Sequence, residues 1–464
     1  MRERLNGLSA GLSRYWAGVR YRLQGITPAS VFRGLRFVER LRGQTEHNIW
    51  YLYVEILWAG ILTAVASFNA TYALRLGASN TMIGWLSSIP ALLAIAMLIP
   101  SARFLETKSD RGPYVRSSLG LSRVLYLGLA LAPWMARDRA AGWVIALLIL
   151  GAIPSNFFSA GWGPMFVDVV PMRDRAVVMS TRSVVHGLTV AVCTFAFGKW
   201  LDLAGEPSSA PALSWVRFPI NYQVIYLIGT IAGMVSLYYV ARIRIPETPV
   251  VARKEPGKKA RTTLRGTFAG MRGMASENQG FFRIMVDTFV FNFGAWLVGP
   301  LYIIFFVKQL GASDGWVGLN TTLSQVGLIA GYLIWRRVTE RRGFRWTLLI
   351  AILPAAAYAF LVALMPNLTL ILVFGIIISF INAGVDLSHG NTFYQVCPVD
   401  RRASYMALYG TVANIGAFVA PMIGVALAAV IDIRWVLVIG GAIRLLGATM
   451  FHWNKIPAVE GERS

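Results

Sequence analysis

The sequence predicts an all-α polytopic membrane protein with twelve transmembrane helices in two parallel six-helix halves, both termini cytoplasmic. Three observations predict it. Of 464 residues, 56% are hydrophobic and only 14% charged, where a soluble domain carries about a quarter charged residues. A bilayer-crossing helix takes about 20 mostly apolar residues, so twelve of them use about 240 positions, nearly the whole apolar stock. Finally, Lys and Arg gather in alternate loops, and motifs in the second half repeat those in the first. A soluble enzyme and a disordered chain are excluded by the same composition.

Residues 1–47 form a basic N-terminal region without an apolar run long enough for a signal peptide. Val31, Phe32, Leu35, Val38 and Leu41 fall on one side of a helix, and Arg33, Arg36, Glu39, Arg40 and Arg42 on the other. That pattern predicts a helix lying on anionic lipid of the inner leaflet, with a solvated basic tail as the alternative. A first bundle follows over 48–241, with apolar segments at 48–70, 81–104, 115–135, 141–166, 176–201 and 221–241. From 242 to 280 the chain is polar, and Arg253, Lys254, Lys258, Lys259, Arg261 and Arg265 lie among Pro and Gly. This reads as a cytoplasmic linker. A second bundle over 281–453 holds segments at 283–307, 315–336, 345–366, 368–392, 404–430 and 433–453, and residues 454–464 form a tail.

The net charge of +22 would suggest nucleic acid in a soluble protein. Here it has a simpler cause, and no nucleic-acid partner is expected. With the N-terminus inside, 34 of the 44 Lys and Arg lie in inner loops and tails. Seven lie outside, and Arg123, Arg182 and Arg444 fall within segments. That bias places both termini in the cytoplasm. Cys193 and Cys397 belong to no CxxC or Cys/His spacing, so no metal site or disulfide framework is expected.

The repeat is explicit. Leu76-Gly-Ala-Ser79 returns as Leu310-Gly-Ala-Ser313, Arg111-Gly112 as Arg342-Gly343, and Pro171-Met-Arg-Asp-Arg175-Ala176 as Pro398-Val-Asp-Arg-Arg402-Ala403. The order is kept and the offset drifts by only a few residues, so one half repeats the other in parallel.

Two parallel six-helix halves joined by a basic linker resemble the major facilitator superfamily of secondary transporters, over about 48–453. The family's loop signature between helices 2 and 3 is echoed by Asp110-Arg111-Gly112, which lacks the leading Gly. It is echoed again by Glu340-Arg341-Arg342-Gly343-Phe-Arg345. The resemblance implies alternating access, a small-molecule substrate with or without proton coupling, no cofactor, no enzymatic activity, and a monomer in the plasma membrane. It also implies that Asp110, Arg111, Gly112, Glu340, Arg341, Gly343, Asp168, Arg175 and Arg402 belong to gating loops, with solvated positive-inside charges as the alternative. Branch signatures are absent. Segment 5 has Gly187 and Gly198 but no Pro, and Pro246-Glu-Thr-Pro249 stands without the rest of the sugar-porter pattern. Substrate class therefore does not follow. A non-transporting member of the same fold, acting as assembly factor, sensor or lipid-handling partner, is the second reading.

An ionisable side chain within a membrane helix costs about 2.5–3.5 kcal/mol on insertion scales, so each is a functional candidate. Glu55 in segment 1 and Asp287 in segment 7 sit 232 apart, close to the repeat offset, and the resemblance implies that both segments line a central cavity. Arg182 is the expected partner of Glu55, with Arg123 competing; a purely structural ion pair is the alternative. In segment 10, Asn382, Asp386 and His389 share a helical face, and an Asp–His pair can exchange a proton near neutral pH. Capping of the helix end is the alternative there. Asn156, Asn292 and Gln325 offer hydrogen bonds to a substrate or to neighbouring helices. No phosphate loop, HExxH or GxSxG is present.

Overall fold

A computed structural model describes residues 43–108, 110–135, 139–172, 174–205, 216–244, 278–365, 367–397 and 402–454. The expected amphipathic helix near Val31–Leu41, residues 245–277 of the linker and residues 455–464 lie outside these. The described residues hold twelve helices long and apolar enough to cross a membrane. They are α1 (Gln44–Arg75), α2 (Asn80–Glu106), α3 (Gly112–Met135), α4 (Ala140–Val169), α5 (Arg175–Gly205) and α6 (Ile220–Arg242). The second six are α7 (Gln279–Gln309), α8 (Asp314–Arg342), α9 (Phe344–Leu364), α10 (Leu368–Val396), α11 (Arg402–Leu427) and α12 (Ile433–Trp453). Ten of the expected segments fall inside these bounds. The segments at 345–366 and 404–430 run past theirs, because the chain turns there for the next helix. Asn367 accepts from the Thr369 and Leu370 amides to cap α10, and Asp432 accepts from the Arg434 amide to cap α12.

The repeated Leu-Gly-Ala-Ser motif is a helix stop and start. Gly77 and Gly311 have φ of +91° and +65°, a left-handed conformation that glycine adopts without a Cβ penalty. The serine two residues on then caps the next helix. Ser79 Oγ accepts from the Met82 amide at 3.2 Å, and Ser313 Oγ from the Trp316 amide at 3.1 Å. Local breaks mark three helices. α1 is interrupted by a turn at Ser67 and Phe68, α7 ends in a π-turn over Phe305–Gln309, and α9 breaks at Ala357, three residues after Pro354. Proline removes a backbone donor and crowds the preceding turn, which accounts for the last.

Packing repeats as the sequence does. In the first half α1 packs on α5 and α6, α4 on α2 and α3, and α3 on α6. Adding six to each number gives the main seams of the second half. Between halves, α5 packs on α8 and α2 on α11. Glycine brings the α5–α8 backbones together: a Cβ on Gly318 would lie 2.7 Å from the Thr194 carbonyl oxygen and 3.0 Å from Gly198 Cα.

Twelve crossings return the chain to the side where it starts, here called the terminal end. The hydrogen bonds and ion pairs joining described residues of the two halves lie at the opposite, distal end and reach only as deep as Thr322, which donates to the Ala191 carbonyl at 2.9 Å. Arg75 pairs with Asp314 at 3.2 Å, and Lys308 donates to Asn80 at 2.8 Å. Asp202 on α5 accepts from Ser313 Oγ at 3.0 Å and from the Gly315 amide at 2.7 Å. Beneath this layer the buried rings of Tyr72, Tyr222 and Tyr226 pack with centroids 4.8 and 4.9 Å apart. The two halves are sealed at the distal end.

Candidate functional site

Each half carries a polar cluster inside its own bundle. In the first, Glu55 of α1 meets Arg182 of α5 in an ion pair of 3.0 Å, with the two side chains only 5% and 8% exposed. The Glu55 carboxylate also accepts from Ser236 of α6 at 3.1 Å. Arg182 donates to the Leu52 carbonyl and lies over the Trp162 ring of α4, 4.9 Å from its centroid. Four helices therefore converge on one pair, and supporting contacts of this kind are what a buried ion pair needs to offset its desolvation. Arg182 takes Glu55, whereas Arg123 lines a separate cavity of about 240 Å³ with Asn69, Ser122 and Tyr126.

The second cluster surrounds a cavity of about 250 Å³. α7 supplies Thr288, Phe291 and Asn292, and α10 supplies Asn382, Val385, Asp386 and His389. Ile352, Tyr409, Arg444 and Phe451 close it from α9, α11 and α12. The α10 spacing of three and four puts those side chains on one face, as the sequence implies. Arg444 Nη2 donates weakly to Asn382 Oδ1 at 3.4 Å, and its guanidinium lies 4.5 Å from the Phe291 ring centroid. Its Nε is buried without a hydrogen-bond partner.

Two expectations are corrected. Asp386 and His389 do not pair, because neighbouring helices reach each of them first. His389 Nε2 lies 2.7 Å from Thr288 Oγ1, and Asp386 Oδ2 accepts from Tyr332 of α8 at 3.4 Å. Asp287 is not on the cavity. It is fully buried and accepts from Asn454, just past α12, at 2.7 Å. Successive helical residues point about 100° apart, so Asp287 faces α12 while Thr288 faces the cavity. Glu55 and Asp287 thus occupy equivalent seams, α1–α6 and α7–α12, rather than a common central site.

The other candidates scatter. Asn292 lines the second cavity; Asn156 and Gln325 are half-buried and line neither. Asp110 accepts from the Gly112 amide at 2.8 Å and so starts α3, and the Arg111 Nε is buried without a partner. Glu340 pairs with Arg336 of its own helix at 3.0 Å, Arg341 is exposed, and Gly343 ends α8 with φ of +83°. Arg175 donates to the Val170 and Val167 carbonyls at 3.0 and 2.8 Å, capping the end of α4. Asp168 is half-buried in that last turn, and Arg402 opens α11 with its side chain outside the described residues. Sequence reasoning placed Arg444 within a segment without giving it a role, and it passed over His186. The latter, on α5, lies 3.2 Å from Thr63 Oγ1 of α1. Both were findable as ionisable residues inside apolar segments.

The profile of the Major Facilitator Superfamily matches twice, over residues 54–292 and 284–464. No curated protein matches the chain. Among solved structures, a bacterial homolog of the human lysosomal transporter Spinster, inward-facing and unoccupied, superposes with TM-score 0.58 at 16% identity, covering 90% of this chain and 100% of that one. The inward-open xylose transporter XylE of E. coli gives TM-score 0.61 at 14% identity, covering 90% and 96%. A mutant of the nucleoside transporter NupG gives 0.62 at 12%, covering 89% and 100%. With one profile match for each half, and a fold shared almost end to end with these proteins, the chain belongs to the Major Facilitator Superfamily.

Proposed function

We propose that the protein is a secondary transporter that moves a small molecule across the plasma membrane by alternating access. Its termini are cytoplasmic by the distribution of Lys and Arg, which makes the distal end the outer one. The single observation that carries the reading is the polar seal at the distal end. Arg75–Asp314, Lys308–Asn80 and the Asp202 contacts join the halves at the distal end. The conformation is then inward-facing, and transport requires these contacts to break while others form at the terminal end. The inward-facing states of the Spinster homolog and of XylE support it. The cavity bearing Asn292, Asn382, Asp386 and His389 is the substrate and coupling site, with the proton as candidate coupling ion. The Glu55–Arg182 pair couples α1 to α5, which lies at the half interface. The protein works as a monomer, with residues 1–47 on anionic lipid.

Spin labels at Thr107 and Arg341, both exposed at the terminal end of their halves, test this in lipid after replacement of Cys193 and Cys397. Two distance populations are expected, with the longer one matching the described conformation. A single narrow distance under every condition would overturn rocking and favour a non-transporting scaffold.

A further inference from the structure

Arg444 and Asp386 face one cavity and do not pair with each other. Among the described residues no carboxylate lies within 4.0 Å of Arg444. Its partners are a weak amide contact and the face of Phe291, and its Nε has none. Asp386, the one acid in the lining, is exposed and held only by Tyr332 at 3.4 Å. The first half shows the contrast, because there Glu55 and Arg182 close to 3.0 Å. Arg444 and Asp386 line the same cavity without closing an ion pair, so a ligand carrying both signs can complement both.

We infer that this cavity takes a small organic zwitterion, its carboxylate on Arg444 and its cationic group on Asp386. The inference rests on the transport reading and narrows its substrate class. Asn382, which contacts Arg444, and Asp386 are four residues apart on α10, about 6 Å along the axis. A molecule with its charges separated by a short chain spans that gap. Phe291 and Phe451 supply apolar wall for the chain, and Asn292 and the Thr288–His389 pair supply polar contacts. At about 250 Å³ the space lies below the about 300 Å³ where ligand pockets usually begin, which fits a molecule of this size and leaves no room for a lipid tail.

The test uses the full-length protein in phosphatidylcholine nanodiscs and follows thermal unfolding. The probes are 4-aminobutyrate, butyrate and butylamine. The zwitterion is expected to protect at concentrations ten-fold or more below those needed by either single-charge analogue. Arg444→Gln should abolish that preference, and Asp386→Asn should bring butyrate level with 4-aminobutyrate. Equal effects of the three probes, no effect of any, or a preference that survives Arg444→Gln would overturn the assignment. If Arg444→Gln fails to fold, Asp386→Asn carries the test alone, since Asp386 is exposed; retained preference in that variant also overturns it. Binding is read without any rocking of the halves, so a failure here leaves the two-population distance experiment to judge transport by itself.

Discussion

Asp202 is the point at which the distal seal is most open to attack. Its carboxylate reaches from α5 of the first half to the start of α8 in the second, accepting from the Gly315 amide at 2.7 Å and from Ser313 Oγ at 3.0 Å. The amide belongs to the first turn of a helix, where N–H groups lack intrahelical partners and negative charge is favoured. A hydrogen bond to a charged group contributes about 1.5–3 kcal/mol net. The Ser313 contact is exposed and screened, so about 2 kcal/mol for the two together is a fair figure. None of it holds either half together, so Asp202→Ala should leave the melting temperature of the separate bundles little changed. It should shift the ratio of distally shut to distally open protein by about thirty-fold, at about 1.4 kcal/mol per factor of ten. A protein 99% shut would fall to about three-quarters shut. Gly315→Ala should act in the same direction, because its Cβ would lie 1.9 Å from Asp202 Oδ2 and displace the carboxylate. The assay is the distance distribution between labels at Thr107 and Arg341, where the short-distance population grows as the distal end opens. Unchanged distributions in both variants would refute the assignment of this contact as the latch.

Other sites give equally direct expectations. Glu55→Gln and Arg182→Gln should each lower stability by about 3–5 kcal/mol, since each leaves the other partner charged and unpaired, and the double variant should be no worse than the poorer single one by chemical or thermal unfolding. Gly424→Ala would put a methyl group 1.9 Å from the Leu297 carbonyl oxygen at the α7–α11 seam; a loss of about 1–3 kcal/mol in the same assay is expected. Gly343, with φ of +83° and ψ of 164°, occupies a region open essentially to glycine alone, so Gly343→Ala should cost about 1–3 kcal/mol.

The helices and the internal repeat were legible because both are written in single residue types. Apolar length sets a crossing, and the Gly and Ser of the Leu-Gly-Ala-Ser motif fix a left-handed stop and a cap wherever they stand. The Glu55–Arg182 pair was also within reach, since depth along two apolar segments limits which charges can meet. Facing is harder. Asp287 and Thr288 are neighbours in sequence and point to different helices, and which of them meets the cavity depends on how α7 is rotated against α12. Sequence spacing likewise brings Asp386 and His389 within reach of each other but carries no sign of Tyr332 and Thr288, which arrive from α8 and α7. Arg444 was placed within a segment but given no role for a related reason: only the packing of α12 on α7 shows that the arginine faces the cavity.

The seams themselves argue for transport over a scaffold. Each half is tied internally by the same five main helix pairings, whereas the halves meet mainly through two, α2–α11 and α5–α8, with smaller contacts of α7 on α1 and α2. A scaffold would gain from fastening that interface along its length. Here the polar fastenings between described residues lie toward the distal end, and they are of kinds that can be exchanged: a partly exposed ion pair at 3.2 Å, a lysine on an asparagine, and a carboxylate on a helix start. Contacts of this strength hold a state by a few kcal/mol, the range in which a bound ligand can reverse the balance. The buried Glu55–Arg182 pair lies inside one half, where on the proposed mechanism it would stiffen that half without joining it to the other. Strong contacts within halves and weak ones between them are what a rocking mechanism requires. What distinguishes the two classes is exposure rather than distance: the ion pair within the first half is buried, whereas Arg75–Asp314, Lys308–Asn80 and Ser313–Asp202 between the halves reach solvent and can be exchanged with it.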